Sequence, residues 1–518
     1  MSTVEFESQL KEALSRNPHD FSAWEQLLQV NETKVAKALA EAPRTKMTID
    51  TMPESLRRAI QGTQKTYDEF LGRFPYCFGY WKKYAEFEMV HEGDVKAREV
   101  YERGVGAFPN SVDLWIQYCT FVTKITKNPT EVRGLYERGV ECIGLDFMAH
   151  SFYDIYLEWE ENRAIEQNSY SRTLSLLDRL IRIPMQQYQR YYERYQQIAN
   201  VRNAREMVSA EEYQVLRKRV IGEMKTRQVK NIRDDAVDSE IKQIVLNDRA
   251  GVFSITEEKV KKRWQFEENI KRPYFHVKPL DEGQIINWNK YLDFEESEGD
   301  AVRIISLYER CLISCAFYEE FWIRYSKYLI LIQDYERAEN VFIRSVYTFI
   351  PESQPKCLIS FVYFKESQGK INEARELLNY YLQKRPGQLQ VLIEYANFEK
   401  RNKSFQDGLK FISSWLESVD EVSKPFLYSF LAKNIWIYNK EINKAREMFI
   451  KGIQETTDKF LLFQYIQFEI TNNNLESKEN VLNIFNLIKD YSFPIHIKKQ
   501  VVEKICDFLI DCGCAMKE

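Results

Sequence analysis

The stretch from Trp81 to Pro109 limits what this chain can become more than any other. Trp81, Tyr84 and Phe87 fall three apart, so they line one side of a helix. Glu92-Gly93-Asp94 breaks that pattern. Val95, Val100, Tyr101, Gly104, Val105 and Phe108 then form a second apolar stripe, and Pro109 closes it. The spacing predicts a helical hairpin, and neither helix can bury its stripe alone. Repetition supplies the missing surface. Trp115, Tyr118 and Phe121 follow 34 residues after Trp81, Tyr84 and Phe87. Tyr-Glu-Arg-Gly stands at 101–104 and again at 136–139, which puts Tyr136 and Gly139 in register with Tyr101 and Gly104.

The register loosens over Phe152, Tyr153, Tyr156 and Leu157, then returns at Trp288, Tyr291 and Phe294, with Tyr308 in the second helix. Trp322 and Tyr325 lie 34 residues further on. First-helix positions recur at Leu358, Leu392, Tyr428 and Leu462, at intervals of 36, 34, 36 and 34, and bring Tyr395, Phe398, Tyr465 and Phe468 with them. A single helical bundle has no reason to keep such a period, so the expected fold is an all-α solenoid of hairpin repeats. Residues 1–200 read as an N-terminal repeat arm and 264–518 as a C-terminal one. The stretch 201–263 reads as a helical, partly mobile insertion, and 43–55 as a linker. Trp264, Phe266, Glu267 and Ile270 are expected to restart packed helix. Pro273 to Leu280 is expected to be a rigid extended connector, because each proline restrains the residue before it.

Large aromatics at each junction suit an array, and 14% of the residues are aromatic. Gly104 and Gly139 are expected where helices approach closely. Glu88, Glu295, Glu399 and Glu469 each follow an aromatic. An active site needs a unique constellation, whereas these recur once per repeat, so a structural role is expected. No phosphate loop, His-Glu-x-x-His or Gly-x-Ser-x-Gly is present. Cys506, Cys512 and Cys514 near His496 do not match the spacing of a compact zinc finger. The expectation is therefore no catalytic residue, no metal and no cofactor.

The net charge of −4 argues against a surface coated in base for sequence-blind nucleic-acid binding. Two local clusters stand apart. Arg217, Lys218, Arg219, Lys225 and Arg227 form one; Lys261, Lys262, Arg263, Lys271 and Arg272 form the other. Either a solvated helix face or contact with RNA or an acidic partner accounts for them. Nine spread-out cysteines argue against a disulfide framework. The opening MSTVEFESQLKEAL is acidic and unlike a signal peptide, and no apolar run is long enough to span a membrane.

The unit Trp-x-x-Tyr-x-x-Phe-Glu followed by Ala-Arg-x-x-Tyr-Glu-Arg resembles the half-a-tetratricopeptide (HAT) repeat of RNA-processing proteins. Three stretches extend the likeness: Phe74 to Tyr84, Trp264 to Leu280 with its Lys271-Arg272-Pro273-Tyr274-Phe275-His276, and Phe317 to Trp322. Together they resemble the pre-mRNA-processing factor 39 family of splicing proteins. That resemblance implies a nuclear, non-enzymatic scaffold associated with the U1 small nuclear ribonucleoprotein (U1 snRNP) and supporting 5′ splice-site recognition. It implies contacts with the particle's proteins, including its zinc-finger subunit. It also implies pairing of two copies through C-terminal repeats, with the animal-type homodimer favoured. A HAT-repeat scaffold of mRNA 3′-end cleavage and a direct RNA-binding module stand as the alternatives.

Overall fold

The computed structural model describes residues 3–41, 52–229, 231–472, 475–490 and 494–511. Most of the 43–55 stretch, Cys512 and Cys514 lie outside the described residues. Among the described residues every regular element is helical, and the fold is an all-α solenoid of repeated hairpins.

Local chemistry sets each hairpin. Phe78–His91 and Asp94–Ala107 form the first of the regular ones. Gly93 joins them at φ 96°, a backbone conformation that side chains with a Cβ rarely adopt. The next pair is Val112–Ile125 and Pro129–Ile143. Ser111 caps its first helix by accepting from the Leu114 amide at 3.2 Å. Asn128 caps the second at 3.1 Å from the Thr130 amide, with Pro129 at the first position, where its missing N–H costs nothing.

One polar contact recurs through the aromatic seam. The Trp81 indole N–H donates to the Pro75 carbonyl at 2.9 Å, and Trp115 donates to Pro109 at 2.7 Å. Trp24 reaches Pro18 at 2.9 Å and Trp322 reaches Ala316 at 2.8 Å, each partner lying six residues upstream. The loop between hairpins thus hands its carbonyl to the next tryptophan. Trp288 is equally buried, yet its indole N–H has no partner. Its helix, Glu282–Glu298, starts six residues before the tryptophan rather than three, so the carbonyl six positions back already belongs to the helix.

Rings stack across successive hairpins. Tyr67 lies 4.8 Å from Tyr84, Tyr101 5.3 Å from Tyr118, Tyr136 4.5 Å from Tyr156, and Tyr308 4.7 Å from Tyr325, all within 13° of parallel. Farther along, Phe449 lies 5.4 Å from Tyr465. Each such pair contributes roughly 0.5–1.5 kcal/mol beyond the area it buries.

The chain divides into two compact units, Met1–Tyr325 with Tyr347–Phe349, and Ser326–Val346 with Ile350–Glu518. The second unit holds the hairpins built on Leu358, Leu392, Tyr428 and Leu462 and ends in helix Ile495–Asp511. In the first unit, residues 201–263 contribute helix Ala210–Thr226 and most of the 34-residue helix Asp234–Glu267. Val237, Ile241, Val245, Arg249, Thr256, Val260 and Arg263 are buried along one face of that long helix. The Thr256 hydroxyl donates to the Ile181 carbonyl at 2.7 Å, and Arg249 lies 2.5 Å from Asp178.

A Cβ at Gly139 would fall 2.6 Å from the Phe152 ring, whereas one at Gly134 would meet nothing within 4 Å. Gly139→Val is therefore expected to lower stability by about 1–3 kcal/mol through overpacking. Gly134→Ala is expected to raise it by about 0.5–1 kcal/mol through helix propensity. Thermal denaturation followed by circular dichroism compares the two.

Candidate functional site

Two ionic couplings join one hairpin to the next. The first runs from an arginine in a second helix to a buried glutamate four residues after the seam aromatic of the following first helix. Arg133 meets Glu160 at 2.5 and 3.0 Å, and Arg263 meets Glu295 at 2.5 and 2.9 Å. Arg375 meets Glu399 at 2.7 Å, and Arg446 meets Glu469 at 2.7 and 3.2 Å. At Tyr118 the fourth residue on is Val122, and Arg98 turns to Glu131 instead at 2.5 Å. These glutamates recur, are buried and are paired, which is structural chemistry.

The second coupling uses the acid that follows the second-helix aromatic. Glu102 accepts from the Tyr118 hydroxyl at 2.5 Å and from both terminal nitrogens of Arg138 at 2.9 Å. The Arg138 guanidinium holds the Glu102 carboxyl below its usual range. Glu137 repeats the arrangement with Tyr156 at 2.7 Å and Arg179 at 2.8 Å, and Glu267 with Tyr291 at 2.8 Å and Arg310 at 2.5 Å. One carboxylate thereby fixes both helices of its neighbour.

Most of the repeat aromatics occupy the core. Trp81, Tyr84, Tyr101, Trp115, Tyr118, Tyr136, Trp288, Tyr291, Tyr308, Trp322, Tyr325, Tyr395, Phe398, Tyr465 and Phe468 are buried, with Phe87, Phe121 and Phe294 half-buried beside them. Trp264 is a correction: it is 47% exposed and restarts nothing. Residues 263–267 close the long helix and act as the second helix of a repeat, with Phe266 stacked on Tyr291 at 5.0 Å. Arg263-x-x-Phe266-Glu267 stands where Arg98-x-x-Tyr101-Glu102 stands earlier. That spacing was the available signal, and Trp264 concealed it by mimicking the start of a first helix.

The basic clusters are corrected in the same way. Arg263 is 2% exposed and committed to Glu295, so it meets no partner. Arg272 donates to the Lys278 and Pro279 carbonyls, which closes the connector on itself. Arg217, Arg219 and Arg227 pair with Asp234, Glu223 and Glu240. Lys261 and Lys262 lie near Glu257 and Glu298, and Lys271 donates to the Glu268 carbonyl. Lys218 and Lys225 remain exposed on helix Ala210–Thr226. The faces are interleaved with acid rather than uniformly basic.

The connector itself is anchored at both ends. Gln284 accepts from the Lys271 and Arg272 amides at 3.1 and 3.0 Å, and the Leu280 amide donates to the Tyr318 hydroxyl at 2.7 Å. Between them Phe275 lies among Phe74, Tyr76, Phe317 and Phe349 at 5.4–6.4 Å. Among the described residues no cluster of His, Cys, Asp or Glu could hold a metal, and no helix is long and apolar enough to cross a membrane.

The sequence matches two family models, the PRP39 N-terminal HAT repeat over residues 8–197 and the PRP39 C-terminal HAT repeat over 261–401. It is 34% identical to pre-mRNA-processing factor 39 of Schizosaccharomyces pombe, covering 92% of this chain and 78% of that protein. The chain belongs to the pre-mRNA-processing factor 39 family. The Homo sapiens member is 30% identical over 96% of this chain and 74% of its own length. A Saccharomyces cerevisiae protein named as U1 small nuclear ribonucleoprotein component PRP42 is 25% identical, over 64% of this chain and 58% of that protein. The crystal structure of CSTF-77 shares the fold, with a TM-score of 0.54 at 13% identity over 85% of this chain and 90% of that one. As a member of the pre-mRNA-processing factor 39 family, the chain is a HAT-repeat scaffold and not an enzyme.

Breaking a buried pair strands a charge, so Arg263→Met is expected to cost about 3–5 kcal/mol, measured by chemical denaturation. Glu88 tests the opposite case. It is 2% exposed and is met by the Gln64 amide at 2.9 and 3.2 Å, with no arginine. Burial raises its pKa above 4.5. The folded chain therefore holds this proton more tightly than the unfolded one, and stability falls as pH rises past that value. Glu88→Gln is expected to raise the melting temperature at pH 7, with the gain shrinking toward pH 4.

Proposed function

We propose that this chain is a scaffold of pre-mRNA splicing that associates with the U1 snRNP and supports 5′ splice-site recognition through protein contacts. Membership of the pre-mRNA-processing factor 39 family carries this reading, with N-terminal and C-terminal repeat models both matched. The likeness to a protein named as a U1 snRNP component adds to it. The partners are particle proteins, among them the zinc-finger subunit, and the site of action is the nucleus. The repeat arms 1–200 and 264–518 offer the binding surfaces. A second copy pairs through the C-terminal repeats as an animal-type homodimer.

The interleaved acids weigh against a direct RNA-binding module at 217–230 and 259–278, since phosphate contact needs unpaired base. The likeness to CSTF-77 extends to fold alone, so it carries no function to this chain.

Affinity purification from nuclear extract is expected to recover U1 RNA and the particle's core proteins; recovery of cleavage factors in their place would overturn the reading. Light scattering of the purified chain is expected to give twice its 61.8 kDa mass. Purified protein is expected not to bind single-stranded RNA at physiological salt.

A further inference from the structure

The connector leaves an aromatic pocket of about 450 Å³ against the N-terminal repeats, walled by Tyr76, Phe108, Tyr274 and Phe275. Asp113 and Asp146 also line it. Arg310 is the guanidinium in its wall, and it is already engaged. Its terminal nitrogens lie 2.5 and 2.7 Å from the Glu267 carboxylate, and its Nε lies 3.5 Å from Asp146. The one guanidinium is thus set against Asp146 and Glu267, and with Asp113 in the same wall the site keeps an excess of negative charge. Among the described residues no basic side chain pairs with Asp113, which stays open to solvent at the mouth. The pocket walls, and then the charge of Asp146, raise its pKa. His150 Nδ1, also in the wall, is buried without a hydrogen-bond partner.

A second pocket of about 280 Å³ adjoins the first, sharing Met148, Pro273 and Arg310, and is bounded by Phe147 and Trp264. Trp264, Tyr274 and Met148 are 47%, 51% and 39% exposed around the two openings. Exposed tryptophan and tyrosine beside preformed pockets are the residue types that anchor protein interfaces.

We propose that these two pockets dock a segment of a protein partner that carries an arginine beside an apolar side chain. The guanidinium enters the aromatic pocket toward Asp113 and His150, and the apolar side chain enters beside Trp264. Arginine fits this chemistry better than lysine. Its planar group stacks on aromatic faces, sheds water more readily and donates several N–H bonds in a fixed fork. A phosphate backbone would meet repulsion from the carboxylates. This inference rests on the protein-scaffold reading above and specifies the chemistry of one partner.

The test uses the full chain and a fluorescein-labelled, blocked hexapeptide holding one arginine next to a leucine, read by fluorescence anisotropy. Saturable binding is expected. It should weaken about tenfold or more when citrulline, neutral and of the same shape, replaces the arginine. It should weaken comparably in Asp113→Asn and in Tyr274→Ala, both exposed positions at which neither change should lower the melting temperature. No saturable binding to the native chain would overturn the proposal. So would equal affinity for the citrulline peptide, or Asp113→Asn binding as the native chain does. Failure here with normal recovery of U1 RNA and proteins strikes the pocket alone, whereas loss of that recovery in the native chain strikes the scaffold reading.

Discussion

A carboxylate sealed between hairpins is the constraint on which the array depends. Glu160, Glu295, Glu399 and Glu469 are each at most 4% exposed, and each must be met by an arginine from the preceding second helix. Taking both charges out of water is expensive, so such pairs add little net stability over an apolar joint. Their effect lies in what they forbid. Sliding one hairpin along another by a turn would leave a buried ion alone, at a cost apolar packing cannot repay. Stacked rings supply cohesion with little regard for register, and at these four joints the ion pairs supply the register.

The same economy explains what could be read from the residues and what could not. The seam was legible because Trp-x-x-Tyr-x-x-Phe encodes a face and because its period is measured in whole hairpins. Glu295, Glu399 and Glu469 were visible as a recurrence, whereas Glu160 was not singled out, and the arginine partners, 23 to 32 residues upstream, could not be paired from spacing alone. Around 263–267 local pattern gave the wrong register. Trp264 and Phe266 look like the opening of a first helix, yet no break precedes them. The long helix simply runs on until it has supplied a second-helix face. The basic clusters misled for a related reason. Composition counts Arg217 or Arg263 as free charge, whereas the fold brings Asp234 and Glu295 to them from other helices.

For function, the consequence is a division of labour along each hairpin. Couplings between neighbours consume the polar groups at the joints. Outer faces and the pockets beside the connector are left for other molecules. A scaffold built this way presents surface without reactive centres, as its family membership implies. The connector stretch follows the same division. Its side chains do more than bridge two helices: Phe275 enters the aromatic core, Arg272 closes the loop, and Tyr274 is left facing outward.

The helix Asp234–Glu267 has a further implication. At 1.5 Å per residue its 34 residues form a rod of roughly 50 Å. It is clamped near its middle by Arg249 and Thr256, and at its end by Arg263. Adding or deleting a single residue between those clamps would turn one against the other by about 100°. Neither clamp can follow, because each is keyed to a different set of hairpins. Length change is therefore barred from this rod, although nothing in its exposed residues would reveal the prohibition.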